Sequence, residues 1–222
     1  MWARTFLATL LAASVAAADC TEDAIIVFDG SGSMAAAGAR LAGETRIAAA
    51  RRAVAQTIPD IARHRRLGLV IYGPGAGPCT GIDLRFPPMA GAGPAIVAGI
   101  DAVSPAGRTP LTDAVTRAAD ALAPGAGTIV VVTDGKESCG RSPCRLAATL
   151  AEQRPEVTIH VIGFEVGGLA FVWNNGDTSI DQEDPGPVSC LAEATGGRFV
   201  DTETAEELVA AFRETLGCAL RF

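Results

Sequence analysis

The chain has 222 residues, 49% of them hydrophobic, with 18 Lys and Arg against 25 Asp and Glu and a formal net charge of −7. That length suits one domain or a little more. The acidic balance argues against nucleic acid and anionic membrane surfaces as partners, because both need concentrated positive charge.

The first residues differ from the rest. Met1, Trp2, Ala3 and Arg4 make a short positive start, residues 6–15 are mostly apolar, and Ala16, Ala17 and Ala18 precede Asp19. This is the pattern of a secretory signal peptide cut after Ala18, so residues 1–18 are expected to be removed and residues 19–222 to form the domain. The apolar run is too short to cross a membrane core that needs roughly 20 apolar residues. The charged Asp19 just before Cys20 argues against a lipoprotein, and no later segment is apolar enough to span a membrane. Loss of Arg4, the one charged residue before the cut, takes the net charge to −8. The expected location is periplasmic or secreted.

Residues 24–28 (AIIVF) form an apolar run that stops at Asp29-Gly30, and residues 67–72 (LGLVIY) stop at Gly73-Pro74-Gly75. Residues 128–133 (TIVVVT) stop at Asp134-Gly135, and residues 157–164 (VTIHVIGF) make a fourth run. Such β-branched runs, without polar alternation, suit strands buried on both faces of a parallel sheet. Residues 82–86 (IDLRF) alternate in polarity and stop at Pro87-Pro88, which predicts an edge strand. Residues 198–200 are a short last strand.

Helical patterns lie between the strands. Residues 46–58 place Ile47, Ala50, Val54 and Ile58 on one face and end before Pro59-Asp60. Residues 111–122 follow Thr109-Pro110, which predicts an N-cap and a first-turn proline. Residues 145–153 and 189–194 flank the fourth strand in sequence, and residues 204–216 open with Thr204 and Glu207 at capping-box spacing. Strands alternating with helices imply a doubly wound α/β sheet with right-handed crossovers.

Six cysteines follow Ala18: Cys20, Cys79, Cys139, Cys144, Cys190 and Cys218. An even count in an exported chain predicts disulfides. No CxxC pair exists, and His64 and His160 are far from any cysteine, so a zinc site is disfavoured. Cys20 and Cys218 would clasp the domain at its two ends, worth about 4 kcal/mol on a loop-entropy basis. The other four can pair in three ways, and the sequence does not choose.

Asp29-Gly30-Ser31-Gly32-Ser33 follows a buried strand directly. Ligands in a doubly wound sheet sit beyond the carboxyl ends of its strands. Three oxygen-bearing side chains at alternate positions, spaced by glycines, can converge there on one point. Asp134 ends another buried run at the same edge, and Thr109 lies in a loop that should reach it. Carboxylate, hydroxyl and water oxygens are what a hard cation such as Mg²⁺ prefers, with Mn²⁺ or Ca²⁺ as alternatives.

These segments, Asp29-x-Ser31-x-Ser33, then Gly107-Arg108-Thr109-Pro110-Leu111, then Thr133-Asp134-Gly135, resemble the three parts of a von Willebrand factor type A domain with a metal-ion-dependent adhesion site. Their order and spacing match over residues 24–216. The resemblance implies a six-stranded, mainly parallel sheet with one antiparallel edge strand and helices on both faces. It implies that Ser31, Ser33 and Thr109 bind the ion directly, with Asp29 and Asp134 often acting through water. A sixth position would be filled by an acidic group of a protein partner. Glu137 is a further carboxylate beside the third segment, with no assigned role.

Each residue also fits a plainer part. Ser31 and Ser33 could satisfy a turn, Asp29 and Thr109 could cap backbone, and Asp134-Gly135 could be a strand-ending turn. The three segments together favour the metal site. His64, in a basic surface stretch, and His160, inside a strand, have no Ser or Cys partner at catalytic spacing. Gly73 to Gly77 lacks the Gly-Lys-Ser/Thr ending of a phosphate loop. A metal-assisted phosphatase with Asp29 as nucleophile is the second reading, but Ser31 stands where a second carboxylate would be wanted. A structural domain with a vestigial site is the third. The leading expectation is a binding module, not an enzyme.

The connection over residues 165–188 is unusually long. Leu169, Phe171 and Trp173 alternate with Ala170, Val172 and Asn174 before Asn175-Gly176, a hairpin signal. The expectation is a hairpin on the rim of the metal site that helps to select the partner.

Overall fold

A computed structural model of the chain describes residues 22–135, 137–165 and 188–217. The expected signal peptide, the Cys20–Cys218 clasp and the hairpin around Asn175-Gly176 lie outside these residues.

The sheet has six strands: β1 (Asp23–Asp29), β2 (Leu67–Tyr72), β3 (Ile82–Met89), β4 (Gly127–Thr133), β5 (Val157–Phe164) and β6 (Phe199–Thr202). Their spatial order is β3-β2-β1-β4-β5-β6. All neighbours pair in parallel except β2 with β3. Around the sheet lie α1 (Arg46–Ile61), α2 (Gly93–Asp101), α3 (Leu111–Leu122), α4 (Pro143–Gln153), α5 (Ser189–Ala194) and α6 (Ala205–Leu216). The expected doubly wound, mainly parallel sheet with one antiparallel edge strand is the observed one.

The period of two along a strand divides the core. Ala24, Ile26 and Phe28 of β1 pack with α1, α2 and α6, whereas Ile25 and Val27 pack with α3, α4 and α5 on the other face. Every residue of β2 and β4 is buried, as expected for central parallel strands covered on both sides. The chain runs outward from β1 to β2 and β3, then returns to β4 beside β1. This reversal leaves a crevice at the carboxyl ends of β1 and β4.

At three proline sites the structure differs from the sequence reading. Strand β3 does not stop at Pro87-Pro88 but continues to Met89. It is an edge strand, its pairing with β2 is irregular near Leu67 and Leu69, and the Pro88 carbonyl accepts a hydrogen bond from Arg66. A missing N–H is tolerated at such a place. Gly68 makes room for the prolines, since a Cβ there would lie 2.9 Å from Pro88 N. Helix α1 passes through Pro59 and ends at Ile61. Burial of Ile58 and Ile61 and the Ala62 N–H bond to the Ile58 carbonyl hold the last turn. Helix α3 begins at Leu111 with Pro110 in the cap position, so Thr109 is not the N-cap. Helix α2 was not anticipated; its buried residues are only Gly93, Ile96 and Ile100, too few for a clear periodic signal. The capping box of Thr204 and Glu207 forms as expected.

Of the three pairings open to the middle cysteines, the structure has Cys79–Cys139 and Cys144–Cys190. The second joins α4 to α5 across 46 residues of sequence. Replacing both Cys144 and Cys190 with alanine is expected to destabilise the domain by about 2–4 kcal/mol in urea unfolding, from restored freedom of the unfolded loop. A loss well under 1 kcal/mol would show that this loop is already restrained when unfolded.

Candidate functional site

The carboxyl ends of β1 and β4 supply the centre of the site. Asp29 is fully buried, and both of its oxygens are occupied. Its Oδ1 accepts from the Ser31 backbone N–H at 2.8 Å. Its Oδ2 accepts from the Tyr72 hydroxyl at 2.7 Å and from Thr133 Oγ1 at 2.8 Å. Sheet register explains these partners, for Asp29 pairs with Tyr72 across β1 and β2, and Thr133 is the last residue of β4. Burial, then the charge of Asp29, pushes the Tyr72 phenol well above its usual value. Tyr72 therefore keeps its proton and serves as a fixed donor.

From Asp29 the loop turns outward. Ser31 is buried and Ser33 exposed, and their hydroxyl oxygens lie 3.0 Å apart. Ser33 Oγ donates to Asp134 Oδ1 at 2.7 Å. A hydroxyl has one proton to give, so Ser31 donates to Ser33 and the chain of bonds ends on Asp134. The other oxygen of that carboxylate, Oδ2, is buried without a hydrogen-bond partner. Among the described residues its contact is an ion pair with the Arg46 guanidinium at 3.5 Å. Burial, followed by the charge of Asp29, raises the Asp134 carboxyl to about 6, against the lowering effects of the Ser33 hydrogen bond and Arg46.

Backbone contacts bring the other loops to this point. Gly32 N–H bonds to the Gly107 carbonyl at 3.2 Å, and Ala106 N–H bonds to the Gly30 carbonyl at 3.0 Å. Gly73 and Gly107 have φ of +110° and +77°, backbone that strongly favours glycine. A Cβ on Gly73 would lie 2.4 Å from Ser31 N, and one on Gly107 would lie 2.1 Å from the Gly73 carbonyl oxygen. Three loops thus meet with no side chain between them.

Thr109 is 7% exposed, and its backbone is tied to the loop after β4. Its N–H donates to Ser138 Oγ at 2.8 Å, and its carbonyl accepts from Ser138 N–H at 3.1 Å. The structure thus unites Asp29, Ser31, Ser33 and Asp134 in one hydrogen-bonded chain, with Thr109 in the adjoining loop and no hydrogen bond between its side chain and that chain. Glu137 has a clear part: its carboxylate accepts from Thr112 N–H and Cys139 N–H at 2.8 and 2.7 Å. It fastens the loop after β4 to the amino end of α3, where negative charge is favoured. The Cys79–Cys139 disulfide ties the same loop to the one after β2.

Sequence reasoning did not select Tyr72, Thr133, Arg46 or Glu165 for the site. Tyr72 and Thr133 could have been found by aligning the ends of the buried runs, since residues level with Asp29 in a parallel sheet face the same crevice. Arg46 and Glu165 carried no such signal. His64 is exposed, and His160 Nδ1 accepts from Arg198 N–H at 3.0 Å, which makes it a structural histidine.

All the donors gathered here are hard oxygens. Among the described residues no group of three or more His, Cys, Asp or Glu side chains is placed to hold a metal; this cluster has two carboxylates and otherwise hydroxyls. The unpartnered Asp134 oxygen and the two neighbouring carboxylates fit a small divalent cation, which would supply the missing partner and discharge the repulsion.

A family model described as von Willebrand factor type A domain matches residues 24–137. No protein of curated function matches the chain. Among solved structures, an aerotolerance-related membrane protein from Bacteroides fragilis aligns at 15% identity over 88% of this chain and 98% of its own, with a TM-score of 0.62. The PilB minor pilin from Streptococcus sanguinis aligns at 16% over 88% of this chain and 60% of its own, with the same TM-score. A von Willebrand factor type A protein from Catenulispora acidiphila aligns at 17% over 89% and 42%, with a TM-score of 0.57. At these identities the structures testify to the fold alone, and with the family match they establish that the chain belongs to the von Willebrand factor type A domain family, whose members generally mediate protein–protein interaction.

Proposed function

We propose that this chain is an exported, metal-dependent binding module that recruits an acidic group of a protein partner through a divalent cation, Mg²⁺ in the first instance. Ser31, Ser33 and Thr109 are the direct ligands in this reading, with Asp29 and Asp134 behind them. The observation that carries it is the buried Asp134 Oδ2, which has no hydrogen-bond partner while its neighbours form a continuous chain back to Asp29. A buried carboxylate oxygen left in this condition is costly unless something else occupies the place. The cation would contribute a positive charge open to a carboxylate from outside. The protein's own residues hold the hydroxyl oxygens in position.

Binding is favoured over catalysis by the state of Asp29. A carboxylate that is fully buried and accepts three hydrogen bonds is a poor nucleophile. Export as a chain cleaved after Ala18 is supported by two disulfides, a feature of oxidising compartments. No helix among the described residues is long and apolar enough to cross a membrane.

Calorimetric titration of Mg²⁺ into chelator-treated protein tests the reading. One cation per chain is expected, with affinity falling about tenfold or more in Ser33→Ala, which removes one ligand oxygen. Binding unchanged in Ser33→Ala, or no heat with Mg²⁺ or Mn²⁺, would overturn it. A partner captured from the cell envelope should be released by chelator.

A further inference from the structure

Helix α1 opens on Arg46 and has no acidic residue in its first turn. A cation there opposes the helix dipole and is locally unfavourable, so its position calls for another reason. The Arg46 side chain is 21% exposed and points into the site. Its Nη1 donates to the Ser33 carbonyl at 3.1 Å and lies 3.5 Å from Asp134 Oδ2 without forming a hydrogen bond to it. Its Nε bonds to Glu165 Oε2 at 3.2 Å.

Glu165 is itself held in place. Its side chain is 4% exposed, it has a φ of +53°, and its carboxylate accepts from Ala39 N–H and Arg40 N–H at 3.1 and 2.9 Å. Gly38 admits it closely, since a Cβ there would lie 2.4 Å from Glu165 Oε2. Glu165 therefore holds the guanidinium by its Nε edge, leaving it close to Asp134 but not bonded to it.

We infer that Arg46, positioned by Glu165, is a built-in counter-charge that sets how tightly the site takes a divalent cation. The inference rests on the cation reading of the site. Without a cation, Arg46 offsets part of the repulsion between Asp29 and Asp134. With one bound, Arg46 would be a like charge beside the site and would weaken the complex. Glu165 moderates this by neutralising Arg46 and restraining it from closing on Asp134. Arg46 and Glu165 do not bind the cation in this scheme and act through Ser33 and Asp134.

The two residues should then act in opposite directions, which a merely structural role for the pair does not produce. In Mg²⁺ titrations of the full chain at low ionic strength, Arg46→Gln is expected to tighten binding about tenfold, from removal of one nearby positive charge. Glu165→Gln is expected to weaken binding by a similar factor, and Arg46→Lys to stay close to wild type. If Arg46→Gln does not fold, the weakening in Glu165→Gln and its reduction at high salt carry the test. Wild-type protein that takes no cation overturns the site reading and this inference together. Wild-type protein that binds, while the two glutamine variants weaken alike or do not change, overturns the role of Arg46 alone.

Discussion

Asp29→Ala is expected to lower stability by about 3 kcal/mol or more in urea unfolding and to abolish the Mg²⁺-dependent rise in midpoint. The carboxylate accepts from Ser31 N–H, Tyr72 and Thr133, and alanine leaves all three donors without it in a fully buried place. An unsatisfied buried donor costs about 1–3 kcal/mol, offset in part by no longer burying a charge. Asp29→Asn should lose roughly half as much, because an amide oxygen and the rotatable hydroxyls can rebuild part of the network. The two variants should behave alike towards Mg²⁺, since each removes the charge. A Mg²⁺ response retained in Asp29→Ala would remove this residue from the site.

Asp134→Asn is expected to do the reverse in the absence of metal. The carboxylate is raised to about 6 from an ordinary 3.8, through burial and the Asp29 charge. A carboxyl raised on folding opposes folding once ionised, and the opposition is complete above the folded value. At pH 7.5 in chelator, the neutral amide should therefore be as stable as wild type or more stable, by about 1–3 kcal/mol. The amide can also fit the local bonds, with its oxygen towards Arg46 and its nitrogen towards Ser33. In saturating Mg²⁺ the order should invert, because wild type gains stability from the cation and the variant does not. Equal destabilisation of the variant in both media would mean that Asp134 is an ordinary structural carboxylate.

Together the two substitutions divide the work of the site. Asp29 is a structural keystone, with both of its oxygens accepting hydrogen bonds. Asp134 is the member left incomplete, and it is the one whose burial costs stability.

Much of the architecture was determined by the sequence alone. Four β-branched runs without polar alternation could be buried only on both faces, which requires helices on each side of a mainly parallel sheet. The Asp29, Ser31 and Ser33 spacing, placed directly after the first of these runs, located one half of the site, and Thr133-Asp134-Gly135 after another located the other half. Local chemistry also sufficed for the capping box at Thr204 and Glu207.

What only the tertiary structure decided depends on contacts distant in sequence. Pro59 and Pro87-Pro88 read as stops because backbone rules act locally, yet burial of Ile58 and Ile61 and the edge position of β3 outweighed them. Thr109 read as a cap, but Glu137, 25 residues beyond Thr112, provides the side chain that accepts from the first turn of α3. The pairing of Cys79 with Cys139 and of Cys144 with Cys190 needed the loops and helices in place. Above all, the charge environment of Asp134 is set by Asp29, 105 positions earlier, and by Arg46, which is itself held by Glu165 from 119 positions away. Such electrostatic coupling arises when distant strand ends and helix starts are packed within a few ångströms, and no periodicity or spacing along the chain encodes it.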